Sequence, residues 1–146
     1  MEIKLASLEH LEILSELFDR YRIFYNQKTN ITAARNFLKE RFQNRDSVIF
    51  IAYQSEKVIG FTQLYPSLSS VSMKRILILN DLFVIESYRR KGVATSLMDA
   101  AESYARDMGS ARIALSTQVS NTSAQKLYRS RNYVKDELFY HYQLQL

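Results

Sequence analysis

The sequence contains no cysteine, which excludes a disulfide frame, a thiolate nucleophile and a cysteine-ligated zinc. It has one proline and three glycines, too few for long irregular linkers, and no tryptophan. The two histidines, His10 and His141, lie too far apart for a local metal motif, so no metal site is expected. No window approaches the ~18 apolar residues of a membrane span. The longest unbroken apolar run is only Val48 to Tyr53. Glu2, Glu9 and Glu12 interrupt any signal-peptide core, so the expected setting is cytoplasmic, with no membrane partner.

What is present fits one globular domain over residues 1–146, with 47% apolar and 24% charged residues. The net charge of +5 favours an anionic ligand. A nucleic-acid binder would draw on Arg89, Arg90, Lys91, Arg129 and Arg131. Those cations belong to no recognised motif, so no nucleic-acid partner is expected.

Periodicity predicts a strand over Glu2–Ala6 and, after a capping Ser7, a helix from Leu8 to about Tyr25. A second helix is predicted from near Thr32 to Phe42. Val48–Tyr53 and Lys57–Tyr65 form a hairpin, with Pro66 ending the second strand. Arg75–Val84 is the most strand-like run, although Asn80 and Asp81 interrupt it; two buried polar residues are costly unless bonded or functional. A helix is predicted over Gly92–Met108, a strand over Arg112–Thr117, a helix over Asn121–Arg131 and a final strand over Leu138–Leu146. The class is α+β, with helices alternating around a mixed sheet.

The informative stretch runs from Leu82 to Ala94. A strand ends, three consecutive cations follow, and Gly92 opens a helix. A helix N-terminus presents unpaired N–H groups and the positive end of a dipole, so it suits an anion; a solvated basic turn is the alternative. No dinucleotide-fold or P-loop glycine pattern is present. Tyr128 is either a core aromatic beside Ala124 and Leu127 or a proton donor. Tyr21, Phe24 and Tyr25 are either a core stripe or the wall of a pocket, with Tyr25 the better site candidate. Aromatics near an aspartate suit a cationic acceptor.

Arg89-Arg90-Lys91-Gly92-Val93-Ala94 resembles the [RQ]-x-x-G-x-[GA] pyrophosphate loop of the GNAT acetyltransferase superfamily. The context resembles it too: the strand Asn80–Val84 before it, a long helix after it, then Ile113–Leu115, Asn121 and Tyr128. The likeness is to the branch that acts on small amines, polyamines and histones. It implies a single domain with about six to seven strands and about four helices, using acetyl-CoA and no metal.

Under that resemblance the backbone of Leu82, Phe83 and Val84 pairs with the pantetheine arm. N–H groups from Arg89, Arg90, Lys91, Gly92, Val93, Ala94 and Thr95 hold the pyrophosphate, and Asn121 bonds the pantetheine or the thioester region. Tyr128 is the acid and the base is Asp81 or a water held by polar groups, while Tyr25, Asn80 and Asp81 face the acceptor. The implied reaction is acetyl transfer to a primary amine (small, polyamine-like or lysine-like) by direct attack in a ternary complex. The alternative is an acyl-CoA sensor of the same fold without turnover. Leu138, Tyr140, Tyr142, Leu144 and Leu146 share one face of the final strand, which either covers a helix of the same chain or joins a homodimer, as in related enzymes.

Overall fold

Three long antiparallel strands made from residues 48 to 84 organise the computed structural model, which describes residues 1–146 throughout. Two compact units are present, Met1–Leu115 and Ser116–Leu146.

The first unit holds β1 (Glu2–Leu5), α1 (Leu11–Phe24), α2 (Ile31–Asn44), β2 (Val48–Gln54), β3 (Lys57–Ser69), β4 (Lys74–Val84), α3 (Val93–Asp107) and β5 (Ile113–Ala114). The sheet order is β1-β2-β3-β4-β5; every pair is antiparallel except β4–β5, which is parallel. The fold is α+β with a mixed sheet, as the alternation of elements predicts. Its alternating side chains serve two cores. Leu14, Leu17 and Phe18 of α1 and Leu38 of α2 are buried with Ile51, Phe61 and Phe83. Val93 and Leu97 of α3 are buried with Ala52, Ile59 and Val84. Consecutive residues Phe83 and Val84 therefore point to opposite faces, one towards α1 and α2 and the other towards α3.

Several sequence expectations need correction. The sheet has five strands, not six to seven. Leu8–His10 is a separate 3-10 turn, and α1 begins at Leu11. Pro66 does not end β3, which continues to Ser69. The last β2–β3 pair is Val48 with Leu64, so Pro66 lies where β3 has become an edge and its missing N–H costs no ladder bond. Only Ile113–Ala114 of the predicted Arg112–Thr117 strand forms, paired with Leu77 and Ile78.

The second unit contains α4 (Thr122–Ser130). Leu138–Leu146 is not a strand. Alternation supplies two faces but no hydrogen-bonding neighbour, and without one there is no ladder. Tyr140 and Tyr142 are each 90% exposed and Leu144 is 83% exposed.

Candidate active site

The polar interruption of β4 proves to be a β-bulge. Gln63 of β3 lies opposite Asp81, and Leu64 lies opposite Leu79, so Asn80 is the extra residue without a partner. A bulge re-aims the side chains around it. Here Asn80 is exposed while Asp81 is buried, at 2% exposure. The bulge also sits just past the end of the parallel β4–β5 pairing at Ile78, so the outer edge of β4 from Asn80 onward has no strand beside it.

Asp81 is held by neutral donors. Gln63 Nε2 donates to its Oδ2 at 2.6 Å and Asn80 Nδ2 to its Oδ1 at 3.1 Å. The Tyr21 hydroxyl shares its one proton between the Asn80 carbonyl, at 3.3 Å, and the Asp81 carboxylate. Burial raises the Asp81 carboxyl above the ordinary carboxylate range, and bonds from Gln63, Tyr21 and Asn80 partly offset that rise. Tyr21, Tyr25 and Tyr65 feel the same carboxylate. Burial, and then the Asp81 charge, holds each hydroxyl above its usual value, so all three stay protonated at neutral pH. The Tyr21 and Tyr25 rings lie 5.0 Å apart, and Tyr21 meets Phe83 at 6.4 Å. The result is a desolvated carboxylate ringed by tyrosines, an environment that attracts a cation.

The turn into α3 is a different kind of site. Arg90 has φ 61° and Gly92 has φ 82°, so the chain reverses through two left-handed residues before the helix. The first intrahelical bond is Ser96 N–H to Gly92 O at 3.0 Å, which leaves the N–H groups of Val93, Ala94 and Thr95 without helical carbonyls. A Cβ built on Gly92 meets nothing within 4 Å. An open N-terminus without a side chain at its mouth fits a pyrophosphate, and an open strand edge beside it fits the amides of a pantetheine arm. Arg89 is placed otherwise than the motif suggests. Its N–H donates to Glu86 O at 3.2 Å, and its Nε donates to Val84 O at 2.8 Å.

In the second unit Asn121 is the N-cap of α4; its side-chain oxygen accepts from Ala124 N–H at 3.2 Å, a bond that does not use its NH₂ group. Tyr128 is half-buried on α4, with its ring 5.9 Å from that of Tyr133.

The Acetyltransferase (GNAT) family model matches residues 11–133. The chain belongs to the GNAT acetyltransferase family. An uncharacterized N-acetyltransferase of Bacillus subtilis, YhfO, is 45% identical over 142 residues, covering 97% of this chain and 95% of that one. A crystal structure of a probable acetyltransferase superposes with a TM-score of 0.95 at 42% identity, covering 100% of this chain and 98% of that one. The thialysine N-epsilon-acetyltransferase of Caenorhabditis elegans is 26% identical over 133 residues, covering 91% of this chain and 82% of that one.

This GNAT protein is therefore an acyltransferase, and the family uses acetyl-CoA. No helix is long and apolar enough to cross a membrane. In the first unit the fold brings Asp81 together with Asn80 and Tyr25. Sequence reasoning missed Gln63 and Tyr65 and left Tyr21 undecided. The signal for Gln63 was weak but present: a polar residue in a strongly apolar strand, 0% exposed here, which has to answer another polar group across the ladder. The Gln63 Oε1 atom is buried with no partner.

Proposed function

We propose that this enzyme moves the acetyl group of acetyl-CoA to a primary amine (small, polyamine-like or lysine-like) by direct attack in a ternary complex. The observation that carries this reading is the buried Asp81 carboxylate, bonded only by neutral groups and walled by Tyr21, Tyr25 and Tyr65. An alkylammonium has a pKa near ~10.4, so at pH 7 only about one molecule in 10³ is the free nucleophile. Asp81 takes the ammonium proton, directly or through a held water, and its raised pKa makes it the stronger base. Asn80 and Tyr25 orient the amine. The freed nitrogen lone pair forms the new C–N bond at the thioester carbonyl as the C–S bond breaks. The thiolate takes its proton from Tyr128.

The N–H groups of Arg90 to Thr95 hold the pyrophosphate, the β4 backbone over Leu82, Phe83 and Val84 pairs with the pantetheine arm, and Asn121 contributes through its NH₂ group. The relative named for acetylating thialysine at its ε-nitrogen supports a lysine-like acceptor. A thiol-release screen across polyamines, amino acids, aminoglycosides and lysine peptides tests the reading. Turnover of at least one primary amine is expected, and release with none of them refutes it.

We also propose a homodimer joined through residues 138–146, because that alternating apolar segment stands in solvent. Sedimentation of the full chain should give a dimer and of a chain ending at Glu137 a monomer. A full-length monomer at micromolar concentration refutes it.

A further inference from the structure

We propose that the acceptor carries a carboxylate as well as its amine, and that the Arg89 guanidinium binds that carboxylate. The inference rests on the amine-acetylation reading above and names the acceptor class.

Arg89 lies in the motif that holds phosphate, yet its head group is on the other side of the sheet. Its guanidinium carbon is 5.6 Å from the centre of the Phe83 ring and 5.6 Å from that of Phe24. Phe83 belongs to the core beneath α1 and α2, whereas α3 packs on the opposite face with Val84. The Nε bond to Val84 O fixes the plane of the group. No carboxylate of the chain pairs with Arg89, in contrast to Arg35 with Glu12 and Arg41 with Asp46. Its two terminal nitrogens remain as a rigid fork, the geometry that accepts a carboxylate through two parallel bonds.

The same aromatic cluster reaches Asp81. Phe24 meets Tyr25 at 5.2 Å, Tyr25 meets Tyr21 at 5.0 Å, and Tyr21 bonds the Asp81 carboxylate. Along β4, Asp81 and Phe83 are two residues apart, about 7 Å at strand spacing. One anion and one fixed cation thus stand at the two ends of an aromatic wall. A zwitterion, with ammonium at Asp81 and carboxylate at Arg89, complements both. A plain alkylamine leaves the guanidinium without a partner, and a polyamine brings a second positive charge towards it.

The test compares kcat/KM for matched pairs: 4-aminobutyrate with butylamine, 6-aminohexanoate with hexylamine, and lysine with cadaverine. In at least one pair the carboxylate-bearing member should lead by tenfold or more. Arg89→Gln keeps an N–H for Val84 O and removes the charge; it should cut that lead to under threefold with the KM for acetyl-CoA unchanged. No lead in any pair, or a lead that survives Arg89→Gln, overturns the proposal. So does a rise in acetyl-CoA KM with the lead intact, which makes Arg89 a phosphate ligand. If Arg89→Gln lacks a melting transition, inhibition of the native enzyme by hexanoate decides. Competition with the amine supports the proposal, and competition with acetyl-CoA, or no inhibition, overturns it. Thiol release without a carboxylate advantage refutes this inference alone; release with no amine at all refutes the acetylation reading and this inference with it.

Discussion

The turn into α3 and the cage around Asp81 answer opposite electrostatic demands with different materials. The turn offers positive potential from backbone: N–H groups of one short contiguous stretch, two left-handed residues, and open space beside Gly92. Its charges are not desolvated, since Arg90, Lys91 and Gly92 are exposed. The cage offers negative potential from a single side chain, removed from water and supported by Tyr21 of α1, Tyr25 just after it, Gln63 and Tyr65 of β3, and Asn80 of β4. A backbone anion site tolerates changes to its side chains as long as φ is preserved. A buried carboxylate depends on every group that touches it and holds its charge against the cost of burial.

The largest effect should come from the cage. Asp81→Asn is expected to lower kcat/KM by ~10²–10⁴ while acetyl-CoA still raises the melting temperature. The same variant should melt above the native protein at pH 7. The folded-state pKa of Asp81 is raised, so the native fold loses stability as pH climbs through that value, whereas asparagine does not titrate. The gap in melting temperature should therefore close as pH falls to the ordinary carboxylate range. An Asp81→Asn protein that is fully active, or that melts lower at pH 7 than native, breaks the account of the cage.

Next comes the turn. Gly92→Glu puts a side chain and a negative charge into the space where a Cβ meets nothing, and should abolish the acetyl-CoA melting shift, worth about 2.7 kcal/mol at a hundredfold excess over Kd. Gly92→Ala carries the same positive-φ cost, about 1–2 kcal/mol, but should retain much of the shift. Calorimetry with both variants separates backbone strain from ligand exclusion.

Gly60→Ala probes the seam between the two regions, because β3 and β4 support both. A Cβ at Gly60 meets Phe83 O at 2.8 Å and Leu97 at 3.4 Å, so the strands and α3 must shift. Denaturant unfolding should show a loss of about 1–3 kcal/mol. If stability is unchanged, the close approach of β3 to β4 is not tight.

The smallest effect sharpens the cage. Gln63→Leu removes a bond that favours the ionised carboxylate, so the Asp81 pKa rises further and the acid limb of the kcat/KM–pH profile moves to higher pH. Activity on the alkaline plateau should fall by less than tenfold. A uniform loss at all pH values, with no movement of the limb, assigns Gln63 a packing role only.

The sequence by itself determined the turn. The geometry of the proposed anion site is made of local backbone, so Arg90 to Thr95 carry it in order, and Gly92 marks the left-handed residue that opens the helix. It likewise set the long strands, whose apolar runs leave little choice of face. The tertiary structure decided what depends on a neighbour. Asn80 became a bulge only because β3 offers one residue fewer across the ladder, and Asp81 became a desolvated carboxylate only when Gln63, Tyr21 and Tyr65 closed around it from other elements. Leu138–Leu146 carries the alternation of a strand and is not one, because hydrogen bonds in a sheet come from an adjacent strand, which alternation by itself does not supply. Arg89 stands within the phosphate motif, but the two rings under its head group, brought together by α1 and β4, turn it towards the opposite face of the sheet.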